Sequence, residues 1–239
     1  MPKLIYLLWA PSGEPRDAFC ERLLDDLPRK AARLGARSVV LQARDSDARV
    51  RSPAPGSTGR APFDAMLSLC LDDVGARGRF ELALEARSAR VHGYLAEETL
   101  YTDYGGNRHA RPRDWPDEER SPGVVSVTLM ERPARLLYAD WIAIWHGRQS
   151  PLSELMQPRT RYVRNVITRC LTPHAPIYGG IVEEAWPSRT HVEDPYLFYG
   201  ACSLSGLSEN MGAMLRSVTS FLDLPRIQTV MTSEYFVLA

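Results

Sequence analysis

Residues 124–129 read Val-Val-Ser-Val-Thr-Leu, directly after a polar stretch that ends in Pro122 and Gly123. A short alternating run of β-formers behind a Pro-Gly break reads as a strand. It decides the fold because it restarts a cycle that the first hundred residues have already completed. Downstream, Leu136–Trp145 is an amphipathic helix with Leu137, Trp141, Ile144 and Trp145 on one stripe. Arg161–Cys170 and Gly180–Trp186 are strands, Met211–Phe221 is a helix, and Thr229–Leu238 is a last strand. Upstream, residues 3–9 are an apolar strand that stops at Pro11-Ser12-Gly13. A helix with Phe19, Leu23, Leu24 and Leu27 at helical spacing follows and ends near Gly35. Ser38–Ala43, Phe63–Leu71 and Val91–Tyr101 are strands, with a helix over Phe80–Arg87.

The order is therefore β-α-β-β-α-β twice, an α+β chain of two ferredoxin-like repeats. Two halves with one element order argue for an internal duplication. Between them Tyr104–Pro122, with Gly105, Gly106, Pro112 and Pro116 among many charges, reads as a linker. The boundaries are 1–103, 104–122 and 123–239. Arg44–Gly59, with Pro53, Pro55 and Gly56, reads as a mobile loop. A lone ferredoxin-like sheet carries helices on one face and leaves the other bare. Two such sheets stacked on each other bury both faces and leave an apolar hollow between them, the arrangement of a closed α/β barrel.

The 239 residues suffice for a core without staples. With 44% hydrophobic and 24% charged residues, the composition excludes disorder throughout. Twenty-nine basic residues balance 29 acidic ones, so no charge bias favours nucleic acid or anionic lipid. All but two of the basic residues are arginine; Lys3 and Lys30 are the exceptions. Cys20, Cys70, Cys170 and Cys202 are dispersed, which fits a reducing cytoplasm rather than a disulfide framework. The apolar N-terminal run is too short for a signal h-region, and no run approaches the ~18 residues of a membrane span. Cys170-xxx-His174 has a ligand-like gap but no third ligand nearby, so no metal is expected. His92, His109 and His191 stand alone. No phosphate-cradling glycine loop and no nucleophile elbow occur, so no cofactor is implied.

The second half holds a dense polar-aromatic set: Trp145-His146, Tyr162-Val-Arg-Asn165, Tyr178-Gly-Gly-Ile-Val-Glu183, Trp186-Pro-Ser188, Phe221-Leu-Asp223 and Ser233-Glu234-Tyr235. Over roughly residues 123–239 this ordered set resembles the EthD family. The first half shares only the element order and has no Trp-His pair, so it reads as the structural partner. The resemblance implies a dimeric α/β-barrel fold. Its relatives include polyketide cyclases, a pigment decarboxylase and cofactor-free monooxygenases.

On the residues themselves, His146 is either a general acid or base near neutral pH or a helix-end residue bonded to a carbonyl. Tyr162 and Asn165 lie three apart on a strand and face opposite sides. Only one of them lines a cavity, and Tyr162 also fits plain core packing. Glu183 and Glu184 are adjacent, so one points in. An inward Glu183 in apolar surroundings moves protons, and Glu184 fits an ion pair with an arginine. Trp145, Trp186 and Tyr178 are candidate substrate contacts, although the Trp141–Trp145 stripe equally fits core.

The expected function is the binding of a small apolar, aromatic or polyketide-like molecule. The accompanying chemistry is cofactor-independent proton transfer (cyclisation, decarboxylation or oxygenation), with His146, Tyr162, Asn165 and Glu183 as its catalytic set. The rival readings are a non-catalytic binding or accessory protein and a structural assembly unit with a filled barrel. The expected state is a homodimer, with a monomer that closes on itself as the alternative.

Overall fold

The computed structural model describes residues 2–51 and 61–238. Strand β1 (Lys3–Trp9) is buried along its whole length, which requires cover on both faces. On one side Leu4, Tyr6 and Leu8 meet Phe19, Leu23 and Leu27 of helix α1 (Arg16–Arg33) and Phe80 and Leu84 of α2 (Arg77–Glu85). On the other side Ile5, Leu7 and Trp9 meet residues from strands of both halves of the chain.

That second face is the inside of a barrel. β2 (Ser38–Ala43), β3 (Ala65–Cys70) and β4 (Arg90–Thr102) complete the first set of strands. The second set is β5 (Val124–Met130), β6 (Arg161–Cys170), β7 (Gly180–Trp186) and β8 (Gln228–Leu238). The closed order is β1-β3-β2-β8-β5-β7-β6-β4, antiparallel at every pair. Within each half of the chain the fourth strand neighbours the first, then the third, then the second. The halves do not stack as two separate sheets. They join edge to edge, through β2 with β8 and β4 with β6, so that closure leaves no free strand edge.

The interior is packed rather than hollow along much of its length. Ile5, Leu7, Trp9, Phe63, Met66, Tyr94, Val125, Val127, Leu129, Ile181 and Val230 fill it. Parity then sorts every strand: odd residues of β1, β5, β6 and β7 point in, even residues point out to the helices.

The helical layer over the second half is longer than its apolar stripe suggests. Helix α3 (Tyr138–Ile144) runs into a widened π-helical turn, Trp145–Gln149, and on into α4 (Ser150–Met156). Pro151 has no N–H to donate and its ring crowds the preceding turn. The widened turn next to it is closed by the N–H of Ser150 on the Trp145 carbonyl. Short helices α5 (Thr190–Glu193) and α6 (Pro195–Phe198) precede α7 (Leu204–Phe221). Helix α7 starts seven residues before the expected Met211, because Ser203 caps it by accepting from the Gly206 N–H at 3.1 Å.

Residues 103–123 have no helix or strand but are tied to β8. The N–H groups of Glu118 and Ser121 donate to the carbonyls of Phe236 and Glu234, and Trp115 packs against Phe236. Of the stretch read as a mobile loop, Asp45 is anchored by the hydroxyls of Ser233 and Tyr235, both at 2.7 Å. Residues 52–59 of that stretch lie outside the described residues.

Two glycines give opposite expectations. Gly123 has φ +83° at the entry to β5, and a Cβ there would fall on the Trp186 carbonyl oxygen. Gly123→Ala is expected to cost more than about 2 kcal/mol in denaturant unfolding. Gly78 sits in α2 with open space around it, so Gly78→Ala is expected to stabilise by about 0.5–1 kcal/mol. Equal effects of the two substitutions would contradict the described backbone.

Candidate functional site

One end of the barrel is charged. The start of β1, the start of β6 and the far part of β4 bring Lys3, Arg161 and Glu98 together, while β7 and β8 add Glu183 and Glu234 from inside. All are in phase with the inward-facing apolar residues of their strands, so the same parity that packs the core gathers these charges. Lys3 Nζ lies 2.5 Å from Glu98 Oε2 and 3.0 Å from Glu183 Oε1. Glu183 also accepts from Gln42 Nε2 at 2.8 Å and Asn165 Nδ2 at 2.9 Å, with Arg161 Nη1 at 3.6 Å. Arg161 donates to Glu234 at 3.0 Å, and the Tyr104 hydroxyl donates to the other Glu234 oxygen at 2.8 Å.

Lys3, Arg161 and Glu183 are held in their charged forms. Burial alone would raise the Glu183 carboxyl, but the charges of Lys3 and Arg161 and the hydrogen bonds from Lys3 and Asn165 outweigh it and bring it to about 2. Burial pulls Lys3 and Arg161 down, and the facing carboxylates more than reverse this, so both stay cationic. Two amide oxygens in the network, Gln42 Oε1 and Asn165 Oδ1, have no hydrogen-bond partner.

A cavity of about 400 Å³ opens over this network. Lys3, Arg161, Glu98 and Asp103 supply its charged surface, and Leu100, Tyr104 and Phe236 its apolar one. Arg113 reaches in from the 103–123 segment, its guanidinium 4.4 Å from the centre of the Phe236 ring. The mouth thus sets charged groups beside apolar faces, in place of the wholly apolar hollow expected from two stacked sheets.

The candidates read from the sequence fall in three places. Asn165 and Glu183 meet inside the barrel, at 2.9 Å. Tyr162 lies outside it, beneath the helical layer, His146 sits on the π-helical turn of that layer, and neither lines the mouth cavity. The Tyr162 hydroxyl accepts from Trp145 Nε1 at 3.3 Å and is 3.1 Å from Ser150 Oγ, so its polar atom is satisfied within the core. His146 packs edge-on against Trp145, with ring centroids 4.7 Å apart. Its Nε2 is buried without a partner. Burial and then the Arg164 charge bring its pKa down to about 4, so the ring is neutral at pH 7. Trp186 stacks on Phe198 on the outer face and donates to Ser126 Oγ at 3.1 Å. Tyr178 packs against Tyr94 near the opposite end of the barrel. Glu184 points outward and pairs with Arg159 at 2.7 Å.

Sequence reading passed over Lys3, Gln42, Glu98, Arg161 and Glu234 as a set. Their signal was available: each is a polar residue in the inward phase of a strand otherwise occupied by buried apolar side chains. Among the described residues no group of three or more His, Cys, Asp or Glu side chains is placed to hold a metal ion. No described helix is long and apolar enough to cross a membrane.

The fold and the site together define the class: an eight-stranded antiparallel α+β barrel, closed within one chain, with a charged mouth. No protein-family model matches the sequence, and no curated protein does. Solved structures do match. An anthrone oxidase-like protein superposes with a TM-score of 0.58 over 99% of this chain and 93% of its own, at 8% identity. A dye-decolorizing peroxidase from Bacteroides thetaiotaomicron gives 0.55 over 98% and 93%, at 7% identity. The shared property is the fold.

The Glu183 carboxyl, ordinarily near 4.5, titrates at about 2 in the folded chain. A depressed carboxyl contributes stability that is complete above its ordinary value and is lost as the pH falls through the folded one. Unfolding free energy is therefore expected to drop between about pH 4.5 and 2, and Glu183→Gln should flatten that drop. At neutral pH the same substitution is expected to cost roughly 3–5 kcal/mol, because Lys3 and Arg161 lose a shared carboxylate. A variant as stable as the native chain would show that the network contributes nothing.

Proposed function

We propose that the chain is a small-molecule-binding α+β barrel whose ligand seats in the charged mouth. The observation that carries this reading is the cavity of about 400 Å³ set over a fixed ionic floor. Lys3, Arg161 and Glu183 stay charged at neutral pH, so this floor suits electrostatic recognition rather than proton shuttling. The rim carboxylates of Glu98 and Asp103 accept hydrogen bonds, and Phe236 and Tyr104 offer flat apolar faces beside them. A hydroxylated aromatic molecule meets both demands: its hydroxyls donate to the carboxylates and its ring lies against Phe236.

The same reading takes the two halves, 1–103 and 123–239, as duplicated ferredoxin-like repeats joined by 104–122, the second of EthD type. The identical strand order in both halves supports it. All barrel edges pair within one chain, so a homodimer would use the helical layer and not the sheet.

A second reading is cofactor-independent proton transfer outside the barrel, with His146 as the base. Its support is a neutral imidazole with an unpartnered, buried Nε2. Proton-transfer groups contribute ~10²–10⁴-fold to rate.

Calorimetric titration of the full chain with resorcinol, and with toluene as the apolar comparison, tests the first reading. Saturable binding of resorcinol that falls at least tenfold in Glu98→Gln and is unchanged in His146→Ala is the expected result. Preference for toluene, or equal binding by Glu98→Gln, would overturn the mouth assignment. For any carbon acid that the chain turns over, His146→Ala is expected to lower the rate at least 100-fold; an unchanged rate would remove the second reading.

A further inference from the structure

Three arginines lie buried within six residues, and two of them are conventionally matched. Arg159 is fully buried and pairs with Glu184 at 2.7 Å and Glu154 at 3.3 Å. Arg161 pairs with Glu183, Glu234 and Asp103. Arg164 is 7% exposed, and no Asp or Glu among the described residues forms an ion pair with it. The stretch 52–60 contains no acidic residue that could supply one. Its contacts are one hydroxyl, Ser150 Oγ at 3.2 Å from Nη1, and the ring of Tyr101, centred 4.6 Å from the guanidinium carbon. Its Nε has no partner at all.

A guanidinium taken out of water without a counter-ion is unfavourable, and proteins ordinarily compensate it with a carboxylate. Here the π-helical turn brings the His146 imidazole, whose Nε2 is also unpartnered, within reach of the guanidinium's charge. Widened turns of this kind occur frequently at functional sites. Tyr101 and His146, which lie beside the guanidinium, are each partly exposed. Being an even residue of β6, Arg164 projects to the face opposite Arg161 and Asn165. Its surroundings are distinct from the barrel mouth.

We propose that Arg164, with the turn Trp145–Gln149 above it, is a binding site for a small organic monoanion carrying a planar carboxylate. The guanidinium presents two parallel N–H groups that match a carboxylate. The ring of Tyr101 beside it favours a flat apolar body next to the charge. A phosphate dianion fits poorly: it needs several donors, and Arg164 supplies a single guanidinium. The inference does not depend on a ligand in the mouth or on turnover at His146.

Benzoate is the probe. Titrated into the full chain and followed by the imidazole resonances of His146, it is expected to bind saturably. It should also raise the His146 pKa from about 4, because an added negative charge beside the ring favours the imidazolium. Arg164→Gln is expected to weaken benzoate at least tenfold, and inorganic phosphate to show no saturable binding. Arg164→Gln also removes an uncompensated buried charge, so its melting temperature without ligand is expected to equal or exceed that of the native chain. Should that variant not fold, Arg164→Lys, which keeps the charge and loses the planar pair of donors, is expected to show the same weakening. Absent or non-saturable benzoate binding, or undiminished binding by either arginine variant, would overturn the proposal.

Discussion

Closure of the sheet is the constraint on which everything else depends. Once β2 pairs with β8 and β4 with β6, each strand has an inner and an outer face and no edge. A side chain is then committed by its parity either to a narrow interior shared by eight strands or to the seam under the helices. The interior admits a charge only where opposite charges from other strands meet it. That is why Lys3, Glu183, Arg161 and Glu234, from four different strands, converge at one end. The ion cluster makes the interior expensive to rearrange, because removal of any member strands a buried charge.

The segment between the halves takes part in that closure. Tyr104 donates to Glu234, Asp103 lies near Arg161, and Arg113 lies over Phe236. A stretch with linker composition therefore forms one wall of the mouth. Its lack of regular hydrogen bonding is compensated by backbone bonds to β8 and by the ring contact of Trp115 with Tyr104 at 4.9 Å. Composition alone cannot reveal this, since Gly- and Pro-rich segments dock or swing according to what their aromatic residues find to pack against.

The strands were legible because alternation is a strong signal when one face is buried, and all eight fall close to where residue patterns placed them. The barrel's edge-to-edge closure was not legible, since strand pairing across halves leaves no local mark. Helix α4 was hidden by Pro151, and the first turns of α7 by a cap whose signal is one serine, Ser203. At the site, the opposition of Tyr162 and Asn165, and of Glu183 and Glu184, follows from period-two geometry. Legibility stopped at which arginine meets which carboxylate. Arg159, Arg161 and Arg164 look alike in sequence, and only three-dimensional placement separates two matched guanidinium groups from an unmatched one.

That distinction also explains how one strand serves two chemistries. β6 carries Arg161, Val163 and Asn165 on its inner face and Tyr162, Arg164 and Val166 on its outer one. Inside, charge is saturated: Arg161 faces two buried carboxylates whose positions are fixed by hydrogen bonds from Asn165, Gln42 and Tyr104. Outside, charge is unsaturated: Arg164 has a hydroxyl and a ring, and the imidazole next to it has shed its proton. A saturated cluster resists change and shapes a surface around itself. Above the unsaturated one the helix widens by one residue at Trp145–Gln149. The conformation of the backbone at Pro151 and the charge state of Arg164 are thus two parts of one arrangement, joined by the hydroxyl of Ser150, which bonds both the Trp145 carbonyl and the guanidinium.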